Sequence, residues 1–436
     1  MPSSRKISKA EKSLVLVCVF AVLPLAGAVY LVAGRDADAQ WNIANTATRP
    51  ILNGYDFYVA AAKATVRFKP EVDPVADTTT NLPNSPYARK NYSLVRRQKW
   101  LKANEGTFAM VNKGLKTPSM APVFDSSKPA GDWAILRQLG RDVGARTRTF
   151  QMEKQPMRAT MSALDGMQMG QDTSREGGLV ARVVGVAIMA LGRDPLEDWD
   201  KTINSLNSNE ACTATRRLEV MLAREPSAAQ TLTVDKRDSL IELRRIFAID
   251  GWRKKTASAN SSDLKDVPRL WQSQTASKRA IYDEVNRALD ARIACAKLPY
   301  SQSRTANLPD EISIFAPSLM LIQNRFLMME ARATTSNDML LLRLALRAYI
   351  VEHGVAPAKL SALVPGYLKH IPADVYSDGK PLFYTPQGGT YKLWSVGPDG
   401  VNDGGVPLTR RSNSDMSRPS QNLLDNTGDF VAGLCR

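Results

Sequence analysis

The stretch Leu319–Gly354, LMLIQNRFLMMEARATTSNDMLLLRLALRAYIVEHG, is the longest periodic segment of the chain. Apolar or small residues recur every three or four positions at Leu319, Ile322, Phe326, Met329, Ala333, Ser336, Leu340, Leu344, Ala348 and Val351, so they share one face of an α-helix. At 1.5 Å per residue an unbroken helix would be about 50 Å long. Gly354 is a natural C-terminal cap, and His353 is favoured there by the negative end of the helix dipole. The weak point is Thr334–Asp338, TTSND, where Ser336 or Asn337 would cap a second helix if the segment split.

Upstream the texture is also helical. Ile51, Tyr55, Val59, Ala62 and Val66 share a face, Lys69–Tyr87 is a loop with four prolines, and helical patterns resume to about Val234 with a break at Met120–Gly131. Asp235–Ile249 and Ser277–Ala296 add two amphipathic helices, and Pro299–Pro317 reads as a linker. The methionine-rich run at Met157, Met161, Met167 and Met169 reads as helical core filler, the alternative being a plastic binding surface. Downstream of Gly354 the pattern changes to a short helix and turn. Leu382, Tyr384, Tyr391, Leu393 and Ser395-Val396 then flank the turn PQGG at Pro386–Gly389, a hairpin signal.

The N-terminus carries Arg5, Lys6, Lys9 and Lys12, and Ser13–Gly34 follows without a charge. Such a run is long enough to cross a hydrocarbon core of roughly 30 Å. Pro24 is tolerable in a membrane helix, and the basic flank favours an inside N-terminus. The competing reading is a cleaved signal peptide, because Ala37-Asp38-Ala39 has the small-x-small pattern. Either way the rest of the chain is expected outside the cytoplasm, on the periplasmic side of an inner membrane. Gly178–Gly192, GLVARVVGVAIMALG, is too short to be a second span and contains Arg182, so a buried helix of a folded body is expected.

Net charge is +15, from 58 Lys and Arg against 43 Asp and Glu. The basic residues are dispersed along helical faces, which argues for solvated surfaces and against a specific nucleic-acid partner. Four cysteines, Cys18, Cys212, Cys295 and Cys435, form no CxxC pair. In an oxidising compartment Cys212 and Cys295 either pair or stay as free thiols, and spacing does not decide between them.

Two segments, RLALRAYIVEHGVAPAKLSALVPGYLKHIPAD and LFYTPQGGTYKLWSVGPDGVNDGG, together resemble the C-terminal part of the major pseudopilins of type II secretion systems. The resemblance rests on Tyr349, Gly354, Pro357, Leu360, Leu363, Tyr367, Leu368, Pro372, Asp374, Tyr384, Tyr391, Ser395, Gly397, Asp399 and Gly400. It covers only this end of the chain. The family's cleavable prepilin start is replaced by AEKSLVLV at Ala10–Val17, and its Asp-Pro-Trp turn by Asp374-Val375-Tyr376. The resemblance implies a small α/β module with a β-hairpin and a calcium-binding terminal loop. Matched by motif, that loop supplies Asp399, Asn402 and Asp403, with Asp425 or Asp429 as the closing acidic residue. Calcium takes six to eight oxygens, and the alternative is that these residues only build tight turns.

Of chemistry the sequence singles out little. His353 and His370 are the only histidines, which excludes a histidine metal cluster, and no carboxylate pair stands out. The expectation is therefore a mainly α protein: a basic tail over 1–12, a transmembrane helix over 13–34, a helical body over 40–333 and the pseudopilin-like module over 334–436. Its function is expected to be structural or interactive in the cell envelope, with secretion-system or other envelope proteins as partners. An envelope hydrolase with acidic catalytic residues in the helical body is the alternative.

Overall fold

In a computed structural model, Pro317–His353 forms one continuous helix that passes through TTSND without a break. The helix stays unbroken at this weak point because the polar residues there are engaged inside the structure. Thr335, Ser336 and Asn337 are buried, and Asn337 Oδ1 accepts from Arg193 Nη1 at 2.7 Å instead of capping a helix start. Gly354 ends the helix at φ 75°, donating its N–H to Ile350 O at 2.8 Å, a left-handed conformation that glycine adopts without the usual Cβ penalty.

The structure describes residues 43, 47–67, 93–123, 131–198, 200–249, 277–306, 317–407 and 428–432. The basic tail, the apolar run Ser13–Gly34, Ala37-Asp38-Ala39, the loop Lys69–Tyr87 and Asp425 lie outside these or almost wholly outside them. Among the described residues no helix is long and apolar enough to cross a membrane.

The chain is mainly helical with a small three-stranded antiparallel sheet. In chain order the helices are α1 (Gly54–Ala64), α2 (Leu94–Ala103), α3 (Glu105–Leu115), α4 (Gly131–Met152), α5 (Pro156–Ser174), α6 (Leu179–Asp198), α7 (Asp200–Asn204), α8 (Ser208–Leu222), α9 (Ala228–Phe247), α10 (Lys278–Cys295), α11 (Tyr300–Ser303) and α12 (Pro317–His353). The sheet has β1 (Phe383–Gln387), β2 (Thr390–Ser395) and β3 (Phe430–Val431), in the order β1-β2-β3.

Helix starts follow their caps. Asn207 and Glu210 form a reciprocal capping box at the start of α8. Ser227 Oγ accepts from Gln230 N while Gln230 Oε1 accepts from Ser227 N, which starts α9 at Ala228, seven residues earlier than periodicity alone suggested. The linker expected over 299–317 contains the short helix α11.

Two compact units divide the chain. The smaller comprises 1–45, 239–291 and 308–322; its described core sets Leu240, Leu243 and Phe247 of α9 against Ile281, Tyr282, Val285 and Leu289 of α10. The larger comprises 46–238, 292–307 and 323–436. One of its clusters joins Tyr55, Tyr58, Trp100, Phe108, Leu136, Leu139, Met169 and Ile188. The other runs from Leu164, Met167, Leu196 and Leu218 through Leu340, Leu344 and Ala348 of α12 to Leu363, Leu368, Leu393 and Phe430. The line drawn between 333 and 334 thus falls inside α12, and apolar packing continues from the body helices into the sheet.

Helices α5 and α6 cross with backbone against backbone. A Cβ at Gly170 would lie 2.5 Å from Gly185 O, and one at Gly192 2.6 Å from Met167 N. Small residues allow that approach, and the methionines of α5 fill the space around it: Met167 and Met169 are fully buried.

Candidate functional site

In the module, Asp374 is almost wholly buried and starts the 3-10 turn Val375–Ser377. Its Oδ1 accepts from Tyr376 N at 3.0 Å and from Ser395 Oγ at 2.8 Å, and its Oδ2 accepts from Val396 N at 3.2 Å. One carboxylate therefore ties the turn before the hairpin to the end of β2. Strand β2 pairs with β1 from Phe383↔Trp394 to Gln387↔Thr390, and with β3 at Ser395↔Phe430.

Beyond β2 the terminal loop is fastened by its own side chains. Asp399 Oδ1 accepts from Val401 N at 3.1 Å, and Asn402 Oδ1 accepts from Gly404 N at 3.0 Å and from Trp394 Nε1 at 2.9 Å. These are turns of the kind Asp and Asn favour. Lys392 Nζ donates to Gly404 O at 2.7 Å. Asp429, only 1% exposed, closes the loop: its Oδ2 accepts from Gly405 N at 2.6 Å and its N–H reaches Val406 O at 2.8 Å.

Of the five residues expected to hold calcium, Asp425 lies outside the described residues. Asp429 fits best, because its Oδ1 is buried and has no hydrogen-bond partner. Burial raises its pKa above the usual carboxylate range, and the nearby Asp403 and Asp399 push it further in the same direction. A cation would relieve both effects. The oxygens of Asp399 and Asn402 that face the turn already accept backbone hydrogens, and Lys392 holds a loop carbonyl. Among the described residues no three His, Cys, Asp or Glu side chains converge in metal-ligating geometry. The loop fits the tight-turn reading at Asp399 and Asn402, and leaves Asp429 with the exposed Asp403 as donors for a cation.

The helical body contributes a second constellation that periodicity did not single out. Arg182 of α6, 2% exposed, forms a two-pronged pair with Glu330 of α12, Nε to Oε1 at 2.6 Å and Nη2 to Oε2 at 2.7 Å. Its Nη1 lies 2.5 Å from Glu225 Oε1. Burial works to lower the Arg182 pKa, but the two glutamates outweigh it and hold the guanidinium charged. A lone arginine inside an apolar run was the only signal of this centre in the sequence.

Two half-buried carboxylates, Asp165 and Glu197, are similarly committed. Asp165 lies between Arg146 and Arg217, each at 2.7 Å, and Glu197 pairs with Arg193. His353 ends α12 beside Tyr349, with Nε2 3.2 Å from Tyr367 Oη. Cys212 and Cys295 are free thiols, and Cys295 Sγ donates to Ser303 O at 3.6 Å. Comparison with protein-family models, with curated proteins and with solved structures returned no match.

Proposed function

We propose that this protein is a membrane-anchored structural and interaction protein of the cell envelope, and that its C-terminal module links it to a type II secretion or pilus-like assembly. The supporting observation is the contact made by Asp374. Pro372 and Asp374 belong to one segment of the resemblance and Ser395, Gly397, Asp399 and Gly400 to the other, and Asp374 and Ser395 join the two directly at 2.8 Å. A module whose two signature segments lock onto each other is built as one unit.

A structural role also suits the carboxylates of the body. Glu225 and Glu330 share one guanidinium, and Asp165 is held between two. Carboxylates pinned in this way hold helices in register; a general acid or base must instead be placed to exchange a proton with a reacting group. The terminal loop takes a calcium ion at Asp429 and Asp403 in this reading.

The test is to cross-link and solubilise the full-length protein from its native membrane and purify it beside an unrelated single-span protein. Selective enrichment of inner-membrane secretion components is expected. Recovery of the chain in the cytosolic fraction, or the same proteins with both baits, overturns the reading.

A further inference from the structure

The Arg182 centre lies beneath a cleft of about 480 Å³ in the larger unit, bounded by the end of α5, the turn between α8 and α9, and the first turns of α9. That volume lies within the range of small-molecule sites, roughly 300–1,000 Å³. Most of the lining residues are polar, but polar and apolar atoms share the cleft surface about equally. Gln230 and Thr233 are the exposed neutral polar residues of the lining, with Gln230 Oε1 accepting from Ser227 N and Thr233 Oγ1 donating to Ala229 O, while Ser174 and Thr231 are buried and Ala223, Pro226 and Val234 supply apolar surface. Among the described residues no aromatic ring lines it, so it offers no platform for a stacked base.

Two cations stand in this lining without full neutralisation. Arg224 is exposed and has no ion-pair partner among the described residues. Arg175 reaches Asp172 only at 3.5 Å, the outer limit of a hydrogen bond, and its Nε is enclosed with no partner. Asp172 also takes the Tyr58 hydroxyl at 2.8 Å. Glu225 does not oppose an anion strongly, because Arg182 and Gln171 already hold its two oxygens. Glu176 is an exposed carboxylate of the lining.

We propose that this cleft binds a small hydroxylated anion, of the class of acidic sugars and sugar phosphates, with Arg175 and Arg224 taking the anionic group. Gln230 Nε2 and the Thr233 hydroxyl oxygen then serve the hydroxyls. Guanidinium groups suit carboxylate and phosphate because their planar donors match paired oxygens. The proposal rests on the cleft alone and stands independently of the secretion-linked reading.

Titration calorimetry of the detergent-solubilised full-length protein at low ionic strength tests it, with glucose 6-phosphate and glucuronate as probes and glucose and inorganic phosphate as comparators. At least one acidic sugar is expected to bind saturably and roughly tenfold or more tighter than both comparators. Arg224→Gln is expected to weaken it about tenfold, the scale of one lost charge-assisted hydrogen bond, without changing the melting profile. Arg175→Gln should weaken binding by a similar factor. The proposal is overturned if neither acid saturates, if glucose or phosphate alone binds as tightly, or if Arg224→Gln binds as the parent does.

Discussion

Asp338 lies at the middle of α12, where TTSND passes through the core. Burial and the neighbouring Asp374 carboxylate raise its pKa to about 7. An acid whose folded pKa exceeds its unfolded value stabilises the fold when protonated, and that contribution is lost as pH rises between the two values. Stability is therefore expected to fall between about pH 4 and pH 7, by roughly 3–4 kcal/mol from this group at 1.4 kcal/mol per unit. Asp142 and Asp172, each raised to about 6 by burial, add slopes of the same sign. Urea denaturation at several pH values should show Asp338→Asn with a flatter profile than the parent. Equal slopes would show that Asp338 is not the group responsible. Arg182 makes the opposite kind of demand on its surroundings. Arg182→Met would strand Glu225 and Glu330 and is expected to cost about 3–5 kcal/mol, while also replacing both glutamates with leucine should recover most of the loss. If the triple variant is as unstable as the single one, packing rather than charge explains the cost.

Helix crossings are governed by which residues are small enough to permit them. At the α5–α6 contact the spaces beside Gly170 and Gly192 are filled by backbone atoms of the facing helix. Gly170→Ala or Gly192→Ala should therefore destabilise by about 1–3 kcal/mol, because backbone cannot step aside as a flexible side chain can. Gly106 of α3 has open space at its Cβ position, so Gly106→Ala should be neutral or stabilising by up to about 1 kcal/mol. Thermal melts of the three variants separate these outcomes; equal behaviour would mean that helix propensity, and not the crossing, sets the response. Much at this scale was legible in sequence. The α12 periodicity, the PQGG hairpin and the Ser227/Gln230 cap are local signals, although the cap was outweighed by the apolar pattern that begins after it. The continuity of α12 was not legible, because whether Asn337 caps a helix or reaches Arg193 depends on a residue 144 positions away.

For the whole molecule, the continuous cluster from Leu164 and Leu218 through Leu344 to Leu363, Leu393 and Phe430 has a direct consequence. Removing residues 355–436 would leave the α12 leucines facing water, at about 1.5–3 kcal/mol for each large side chain exposed. Such a truncation is expected to melt at a markedly lower temperature than the full chain, and an unchanged melt would show that the module adds no stability to the helices it covers. Calcium belongs to the same scale. If the terminal loop binds it, a chelator should lower the melting temperature of the full chain and Asp429→Asn should abolish the difference, since a ligand that binds the folded state stabilises it. No shift with chelator would leave Asp429 as a turn-closing residue alone. Helical character, the hairpin and the turn-forming loop were determined by the sequence itself, because spacing, caps and glycine placement act over a few residues. Tertiary structure alone decided that Asp374 meets Ser395, that Arg182 gathers Glu225 and Glu330, and that a polar cleft opens above them. The Asp374–Ser395 contact spans 21 positions and is closed by the hairpin, whereas Arg182 and Glu330 are 148 positions apart and only the packing of intervening helices brings their charges within reach.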